Sequence, residues 1–202
     1  MALWQLPSCY RVVALVCNIQ QEQQRVSIHG VRRELIERQA TALQLPLYTV
    51  DLPDMPNNVV YEARVEAALR PFLNRGVKHV VYGDLFLADI RAYRDAFLTR
   101  IGLQAVYPLW QKDTRTLLNS FIHAGFRSVI TCVDTTQLNA SFVGRELDTT
   151  FLKALPASVD PCGENGEFHT FVYAGPLFRH PLSVIIGESF WQDDRFRLCD
   201  LR

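Results

Sequence analysis

The alternation of short β-branched runs with longer helical patterns is the feature that most constrains the fold of this chain. Strand-like runs occupy residues 11–19, 46–52, 77–84, 103–110 and 126–134, and helical patterns occupy residues 31–45, 59–76, 88–102 and 113–125. Helices of this length between strands imply right-handed crossovers and a parallel sheet with both faces covered. The sequence therefore predicts an α/β fold with a doubly wound, mostly parallel, Rossmann-like sheet.

This regular pattern ends after residue 134. Residues 135–160 read as an irregular connection with one short helix, which leads into a glycine-containing turn and a strand over residues 168–173. We therefore expect an α/β domain over residues 1–134 and a smaller C-terminal α+β region over residues 135–202. Ligands of doubly wound sheets bind at the carboxyl ends of the strands, so polar residues at those ends are the first candidates for a site.

The composition argues against several functional classes. The 21 basic and 21 acidic residues give a formal net charge of zero, which disfavours nucleic acid and membrane surfaces as partners. The apolar run over residues 12–19 is too short to span a bilayer and lacks the flanks of a signal peptide, so we expect a cytoplasmic location. Five cysteines without a CxxC pair predict buried thiols rather than a disulfide framework or a cysteine-rich zinc site.

An acidic stretch, DPCGENGEFHTF over residues 160–171, carries the strongest chemical signal. Gly163 and Gly166 allow a tight turn or the close approach of a ligand. Strand alternation beyond the turn places Glu167 and His169 on one face. A carboxylate beside an imidazole suits acid–base work or the holding of a divalent ion, because burial and mutual charge pull both pKa values toward neutrality.

Two other interpretations of the same stretch stay open. In one, the segment is a structural turn whose glutamates cap backbone amides and whose histidine is a hydrogen-bonded surface residue. In the other, Glu164, Glu167 and His169 are three ligands of a metal ion. The metal site is less favoured, because no HExxH spacing and no second histidine cluster accompany it.

Two further segments place polar residues beside predicted helices or strands. His29 lies just ahead of the first helical pattern, where exposed amides and Arg32 or Arg33 suit an anion, although such arginines are more often a solvated helix face. Asp84 follows a predicted strand, and Asp89 begins the next helix, where it also fits as a dipole-favourable residue of the first turn.

Four segments, in this order and spacing, resemble the PP-loop ATPase family that contains diphthine–ammonia ligase. They are RVSIHGVRRELIERQATALQLPL, VVYGDLFLADIRAYRD, the PLW of YPLW, and VDPCGENGEFHTFVYAGPLF. The resemblance runs from about residue 11 to residue 180. Its last motif is much more specific than a glycine-rich loop.

The resemblance implies an adenine nucleotide α-hydrolase-like fold that binds ATP with Mg²⁺ and cleaves ATP between its α and β phosphates. In the ligase, this step activates a carboxylate as an acyl-adenylate, which ammonia attacks to form an amide. The implied catalytic residues are Glu164, Glu167 and His169. The implied cofactor-binding residues are His29, Gly83, Asp84 and Asp89. The expected partners are an adenine nucleotide, a carboxylate acceptor, an amine donor and, in a homo-oligomer, a second copy of the chain.

Two features depart from the family pattern. The SGGKDS-type phosphate loop and the strand before it are absent, and MALWQL at residues 1–6 reads as the latter part of the helix that follows that loop. We therefore expect an exposed sheet edge where this strand is missing. The turn carries His169 where ligases that act on diphthine have a glutamate, so a different acceptor is expected.

Three functions are compatible with these observations. The first is an ATP-dependent, AMP-forming amide ligase, and the second is a non-catalytic nucleotide-binding module that has lost the phosphate loop. The third is a metal-dependent hydrolase centred on the acidic turn. The resemblance favours the first for the intact family fold and the second for these 202 residues.

Overall fold

The computed structural model describes residues 1–202 and contains six α-helices and eight β-strands. The helices are Ala2–Gln5 (α1), Arg33–Ala42 (α2), Asn58–Asn74 (α3), Ala88–Ile101 (α4), Thr114–His123 (α5) and Thr149–Ala154 (α6). The strands are Leu15–Gln20 (β1), Leu47–Leu52 (β2), His79–Val81 (β3), Gln104–Val106 (β4), Arg127–Asp134 (β5), Phe168–Ala174 (β6), Ile186–Gln192 (β7) and Phe196–Leu201 (β8). None of the helices is long and apolar enough to cross a bilayer.

The predicted helices and strands are all present, and β1 to β5 are shorter than the patterns suggested. Strands β3 and β4 have three residues each, because their pairing stops where the chain turns toward the next helix. Gly76 and Gly102 follow α3 and α4 with φ angles of 83° and 85°, which is the left-handed conformation that closes helices. At the other end of α3, the side chain of Asn57 accepts a hydrogen bond from the amide of Val60.

The strands form a mixed α/β fold with three sheets. Strands β1 and β2 pair in parallel, as do β3 and β4, whereas the remaining strands form an antiparallel sheet in the order β6-β5-β8-β7. The prediction that residues 126–134 continue the parallel sheet is wrong, because β5 runs antiparallel to both of its neighbours. Seven of the eight residues of β5 are buried. A continuous run of buried residues fits a central strand of a parallel sheet and one of an antiparallel sheet equally well. The pattern therefore does not give the direction of the strand.

Helix α2 connects the two halves of the molecule, which are the parallel half with β1 to β4 and the antiparallel half with β5 to β8. Its buried Leu35 and Ala42 pack in one cluster with Val129 of β5, Phe171 of β6 and Leu201 of β8, so α2 lies on the antiparallel sheet. The loop that leads into α2 is thereby held beside β6 and β8. Strand β5 itself pairs with strands that lie beyond the predicted domain boundary at residue 134.

A second cluster holds the parallel strands together. It joins Val50 and Leu52 of β2 to Leu69 of α3 and Leu98 of α4, with Val80 of β3 packed against it. The largest cluster lies on the other side of the molecule, where α5, α6 and the turn over residues 140–142 cover β5 and β6. The acidic turn of residues 160–167 runs from this largest cluster to the start of β6.

Candidate functional site

The acidic turn is built around the carboxylate of Glu167. This side chain is 2% exposed and accepts hydrogen bonds from the amide of Asp160 at 2.8 Å and from the amide and side-chain nitrogen of Asn165 at 3.0 and 3.1 Å. Three N–H donors satisfy the buried charge, because each neutralises part of it. Glu167 therefore holds the turn together and faces its own backbone.

Glycine is required at one position of this turn for a steric reason. Gly163 has a φ of 69°, and a Cβ atom there would lie 2.6 Å from the carbonyl oxygen of Phe168. Gly166 has a φ of 82° but faces open space. The predicted tight turn is thus present, and Gly163 permits the chain to pass closely over the first residue of β6.

Glu164 points out of the turn and binds the loop that follows β3. Its Oε1 atom accepts a hydrogen bond from the amide of Leu85 at 2.6 Å, and the amide of Phe86 also donates to the carboxylate. Burial raises the pKa of Glu164 above its usual value, the two amides oppose this shift, and the charges of Asp84 and Asp160 add to it. The structure therefore joins the acidic turn to the strand-end loop that contains Asp84, and it gives Glu164 a more basic carboxylate than a surface glutamate has.

The three predicted residues of the strand-end segment have different surroundings. Asp84 forms an ion pair with Arg94, whose guanidinium lies 4.2 Å from the ring centroid of Tyr82. Gly83 is exposed and leads into the residues that bind Glu164. Asp89 is exposed in the first turn of α4 and makes no ion pair or side-chain hydrogen bond. The contacts thus connect the acidic turn with the loop after β3 and leave Asp89 outside.

His29 and His169 form a contact that the sequence did not predict. Their ring centroids are 4.4 Å apart, with His29 in the loop before α2 and His169 on β6. A ring nitrogen of His29 donates a hydrogen bond to the carbonyl of Thr170. Burial and the neighbouring His29 lower the pKa of His169 to about 4, and burial also lowers the pKa of His29. Both imidazoles are therefore neutral at pH 7.

The predicted pairing of Glu167 with His169 is not formed. The carboxylate of Glu167 is bound inside its turn, while the ring of His169 packs against His29. No group of three His, Cys, Asp or Glu side chains is arranged to hold a metal ion. The three-ligand arrangement of Glu164, Glu167 and His169 is thus absent. Glu167 binds the amides of its own turn, Glu164 binds the strand-end loop, and His169 packs against His29.

An arginine cluster at the loop before α2 was also missed. Asp200 of β8 accepts hydrogen bonds from Arg25 at 2.7 Å, from Arg32 at 2.9 and 2.7 Å, and from Arg202 at 3.1 Å. Arg32, followed by Arg25 and Arg202, holds the pKa of Asp200 well below its usual range, although burial opposes this. The anion that Arg32 faces is therefore a side chain of the protein itself. No local signal links residues so far apart in the sequence.

Aromatic rings and an arginine guanidinium pack against one another beside the strand-end loop. The guanidinium of Arg91 lies 4.9 Å from the ring centroid of Tyr107 and 4.5 Å from that of Trp110. Tyr107 also stacks on Tyr82 at 5.8 Å. Cation–π contacts of this kind fix long side chains at the carboxyl ends of β3 and β4. A polar, aromatic wall therefore borders the loop to which Glu164 binds.

The acidic turn lies in the part of the chain that is similar to a known sequence family. Residues 113–201 match the family model described as the diphthamide synthase C-terminal domain. The matched segment contains α5, the whole antiparallel sheet and the turn with Glu164, Glu167 and His169. The predicted resemblance to diphthine–ammonia ligase is supported over this part of the chain.

The chain is also similar to three curated proteins named diphthine–ammonia ligase. It is 34% identical to the Schizosaccharomyces pombe protein over 107 residues, which are 51% of this chain and 18% of the relative. It is 32% identical to the Bos taurus protein over 94 residues, 44% of this chain and 35% of the relative. It is 29% identical to the Danio rerio protein over 117 residues, 54% of this chain and 46% of the relative. The chain thus spans less than half the length of each of these relatives.

Proposed function

We propose that this chain acts as an ATP-dependent, AMP-forming amide ligase of the diphthine–ammonia ligase type, with an acceptor carboxylate still to be identified. The similarity to three ligases and the family match over residues 113–201 support this function. The observation that carries the proposal is the docking of Glu164 on the amides of Leu85 and Phe86. This contact joins the family's acidic turn to the end of a parallel strand, where α/β folds bind their ligands.

The chemistry of an amide ligase needs groups that bind a carboxylate and accept protons from an amine. ATP, as substrate, activates the acceptor carboxylate and leaves as AMP and pyrophosphate. Glu164 accepts a proton more readily than an ordinary glutamate because its pKa is raised. His169 is a weaker base, because its pKa is lowered to about 4, but its neutral ring has an unprotonated nitrogen that can accept a hydrogen bond from the amine at pH 7. Glu167 contributes by fixing the turn that carries both groups.

The proposed nucleotide site requires the two parallel pairs to act as halves of one Rossmann-like sheet. One hydrophobic cluster already joins Val50 of β2 to Val80 of β3. Tyr10, just before β1, packs edge-on against His79 of β3 with ring centroids 5.2 Å apart. Strands β1 and β3 each have one edge without a partner strand. A further strand between these edges would complete one continuous sheet in the order β2-β1-strand-β3-β4.

The residues of the chain alone do not make a Mg²⁺ site. Mg²⁺ prefers several carboxylate, water or phosphate oxygens in octahedral geometry. No cluster of three suitable side chains is present, and Asp84 is bound to Arg94. We therefore derive no step from Mg²⁺ and expect any bound Mg²⁺ to be held largely by phosphate oxygens of ATP.

The proposal is tested by product analysis with ATP, ammonium and a panel of small and peptidyl carboxylates. Release of AMP and pyrophosphate that depends on an acceptor is the expected result, whereas ADP and phosphate alone would contradict the proposal. Glu164→Gln retains one acceptor oxygen for the amide of Leu85 but loses the proton-accepting carboxylate, so we expect a fall in kcat of about 10²-fold. Glu188→Gln on exposed β7 is the matched control and should retain full activity.

A non-catalytic nucleotide-binding module is the second candidate. The observation that favours it is the complete use of Glu167 within its own turn, which removes one of the three proposed catalytic groups. This function predicts that AMP or ATP raises the melting temperature of the protein without turnover. If neither nucleotide changes the melting temperature at millimolar concentration, this second function is excluded.

A further inference from the structure

The contact between His29 and His169 joins two elements that are distant in the sequence. His169 projects from β6, and His29 lies in the loop before α2, so the two rings form part of the interface between that loop and the antiparallel sheet. The ring planes are tilted by 41°, with the centroids 4.4 Å apart. The hydrogen bond from His29 to the carbonyl of Thr170 fixes the orientation of the first ring. The loop is thus attached to β6 through imidazoles.

Contacts on both sides of His29 keep the loop close to the sheet. Gly30 has a φ of 64°, and a Cβ atom there would lie 2.5 Å from Cδ2 of Leu198, so the backbone passes directly over β8. Arg25 donates hydrogen bonds to the carbonyl of Gly30 at 2.6 Å and to Asp200 at 2.7 Å. The bound arginines keep Asp200 ionised well below its usual pKa range. These flanking contacts therefore persist in mild acid.

The groups that face the imidazole pair provide no negative charge to balance protonation. His169 lies opposite Cys132 of β5, whose thiol is neutral because burial, with the charge of Asp134, raises its pKa to about 12. The carboxylate of Glu167 is bound to the amides of its own turn. On the β8 side, Asp200 is surrounded by arginines. Adding a proton to either ring would thus place an unpaired positive charge in a half-buried position next to the other ring.

We propose that the two packed imidazoles form a proton-operated latch, which holds residues 27–29 against β6 when both rings are neutral and releases them when the pair is protonated, while Gly30 stays bound to Arg25. The latch is a property of this contact and is independent of the proposed ligase function. If His29 also contacts the nucleotide, as the resemblance implies, release of the loop lowers nucleotide affinity in mild acid. Either ring alone is an ordinary half-buried histidine, and the switch arises from their direct contact.

The direction of the pH effect follows from the neutral folded state. Unfolded histidines bind protons below a pH of about 6.5, whereas the packed pair resists protonation. The stabilisation is therefore fully present above that pH and is lost as the pH falls toward the folded value of about 4 for His169. The flanking Asp200 contacts fail only at lower pH, so the loop near His29 is released before the arginine cluster dissociates.

The latch is tested by NMR titration of the full chain, following the imidazole resonances and the backbone amides of residues 27–29. We expect both rings to titrate below their ordinary pH, with His169 near pH 4, and the loop amides to shift together with the rings. The latch is disproved if either ring titrates near its ordinary pH, or if the loop amides do not respond when the rings gain protons.

Two variants separate the latch from a general acid effect. His169→Phe keeps a planar ring in the contact but cannot gain a proton, so the loop transition should follow His29 alone and become less steep with pH, because one proton is taken up instead of two. His123→Gln, on the exposed face of α5, should leave the midpoint unchanged. A loop transition of unchanged steepness in His169→Phe would overturn the proposal. If that variant does not fold, the wild-type titration still decides the question.

Discussion

The antiparallel sheet and the parallel strand pairs of this molecule differ in how completely their central strands are enclosed. Seven of the eight residues of β5 are buried, whereas β1 has one buried residue and β3 has none. Strand β5 has partner strands at both edges, while β1 and β3 have a partner at only one edge each. In the antiparallel sheet, the central strand β5 is therefore hydrogen-bonded at both edges by other strands of the same sheet. The parallel pairs keep strand edges open to a further partner.

The difference extends to the side chains that cover the sheets. Phe151 of α6 is fully buried and packs edge-on against Phe142 and Phe168, with ring centroids 5.7 and 5.4 Å away. In the parallel half, Phe72 of α3 packs edge-on against Tyr48, which is 41% exposed. Aromatic contacts thus occur in both halves, but only in the antiparallel half are both partners enclosed.

The largest expected effect comes from truncating one phenylalanine in each half. Phe151→Ala should lower the free energy of unfolding by about 3–5 kcal/mol, because it leaves a cavity among well-packed rings. Phe72→Ala should cost less, since part of its surroundings is open to water and can relax. Urea denaturation measures both, with Phe190→Ala on exposed β7 as the control of small effect. Equal costs for Phe151→Ala and Phe72→Ala would break the comparison between the two halves.

A smaller effect is expected at the turn that joins the halves. Glu167→Gln replaces a carboxylate that accepts three hydrogen bonds with an amide that turns N–H groups toward N–H donors. We expect a loss of about 1–3 kcal/mol in the free energy of unfolding, because buried donors lose their acceptor. Urea denaturation of this variant and of Glu188→Gln provides the measurement. A loss of activity at unchanged stability would instead assign Glu167 a direct role in catalysis.

Local structure in both halves was predictable because it depends on near neighbours in the sequence. Helical periodicity located α2 to α5, and Gly76 marked the end of α3 through its left-handed backbone. The alternation of β6 was also predicted correctly, since Phe168 packs in one cluster and Phe171 in another. Glu167 does not follow this alternation, because it precedes β6 and its carboxylate accepts hydrogen bonds within the turn.

Pairing between distant segments was not predictable by the same reasoning. The sequence of β5 is equally suited to a parallel or an antiparallel central strand, so its direction depends on β6 and β8. Strand β8 also supplies Asp200, which binds Arg32 across the molecule. The contact of His29 with His169 likewise depends on α2 packing against the antiparallel sheet. Each of these features is set by tertiary packing, which periodicity does not encode.

The smallest expected effect concerns the contact between the two parallel pairs. Tyr10 before β1 and His79 of β3 meet edge-on at 5.2 Å, and no backbone pairing joins their sheets. Tyr10→Ala should therefore cost only about 1 kcal/mol in the free energy of unfolding, within the usual range for an aromatic pair. Its effect on local opening should be selective, because the enclosed β5 shares no strand pairing with either sheet.

Native-state hydrogen exchange of the Tyr10→Ala variant measures this selectivity. The amides of β1 and β3 should exchange faster than in the wild type, while those of β5 should change only by the small loss of global stability. Tyr10→Phe keeps the ring and should restore the wild-type pattern. Uniformly faster exchange, including β5, would show that the parallel pairs and the antiparallel sheet open as one unit. In that case the open edges of β1 and β3 would not make their half of the molecule less stable, and the strand proposed between them would not be needed to complete the fold.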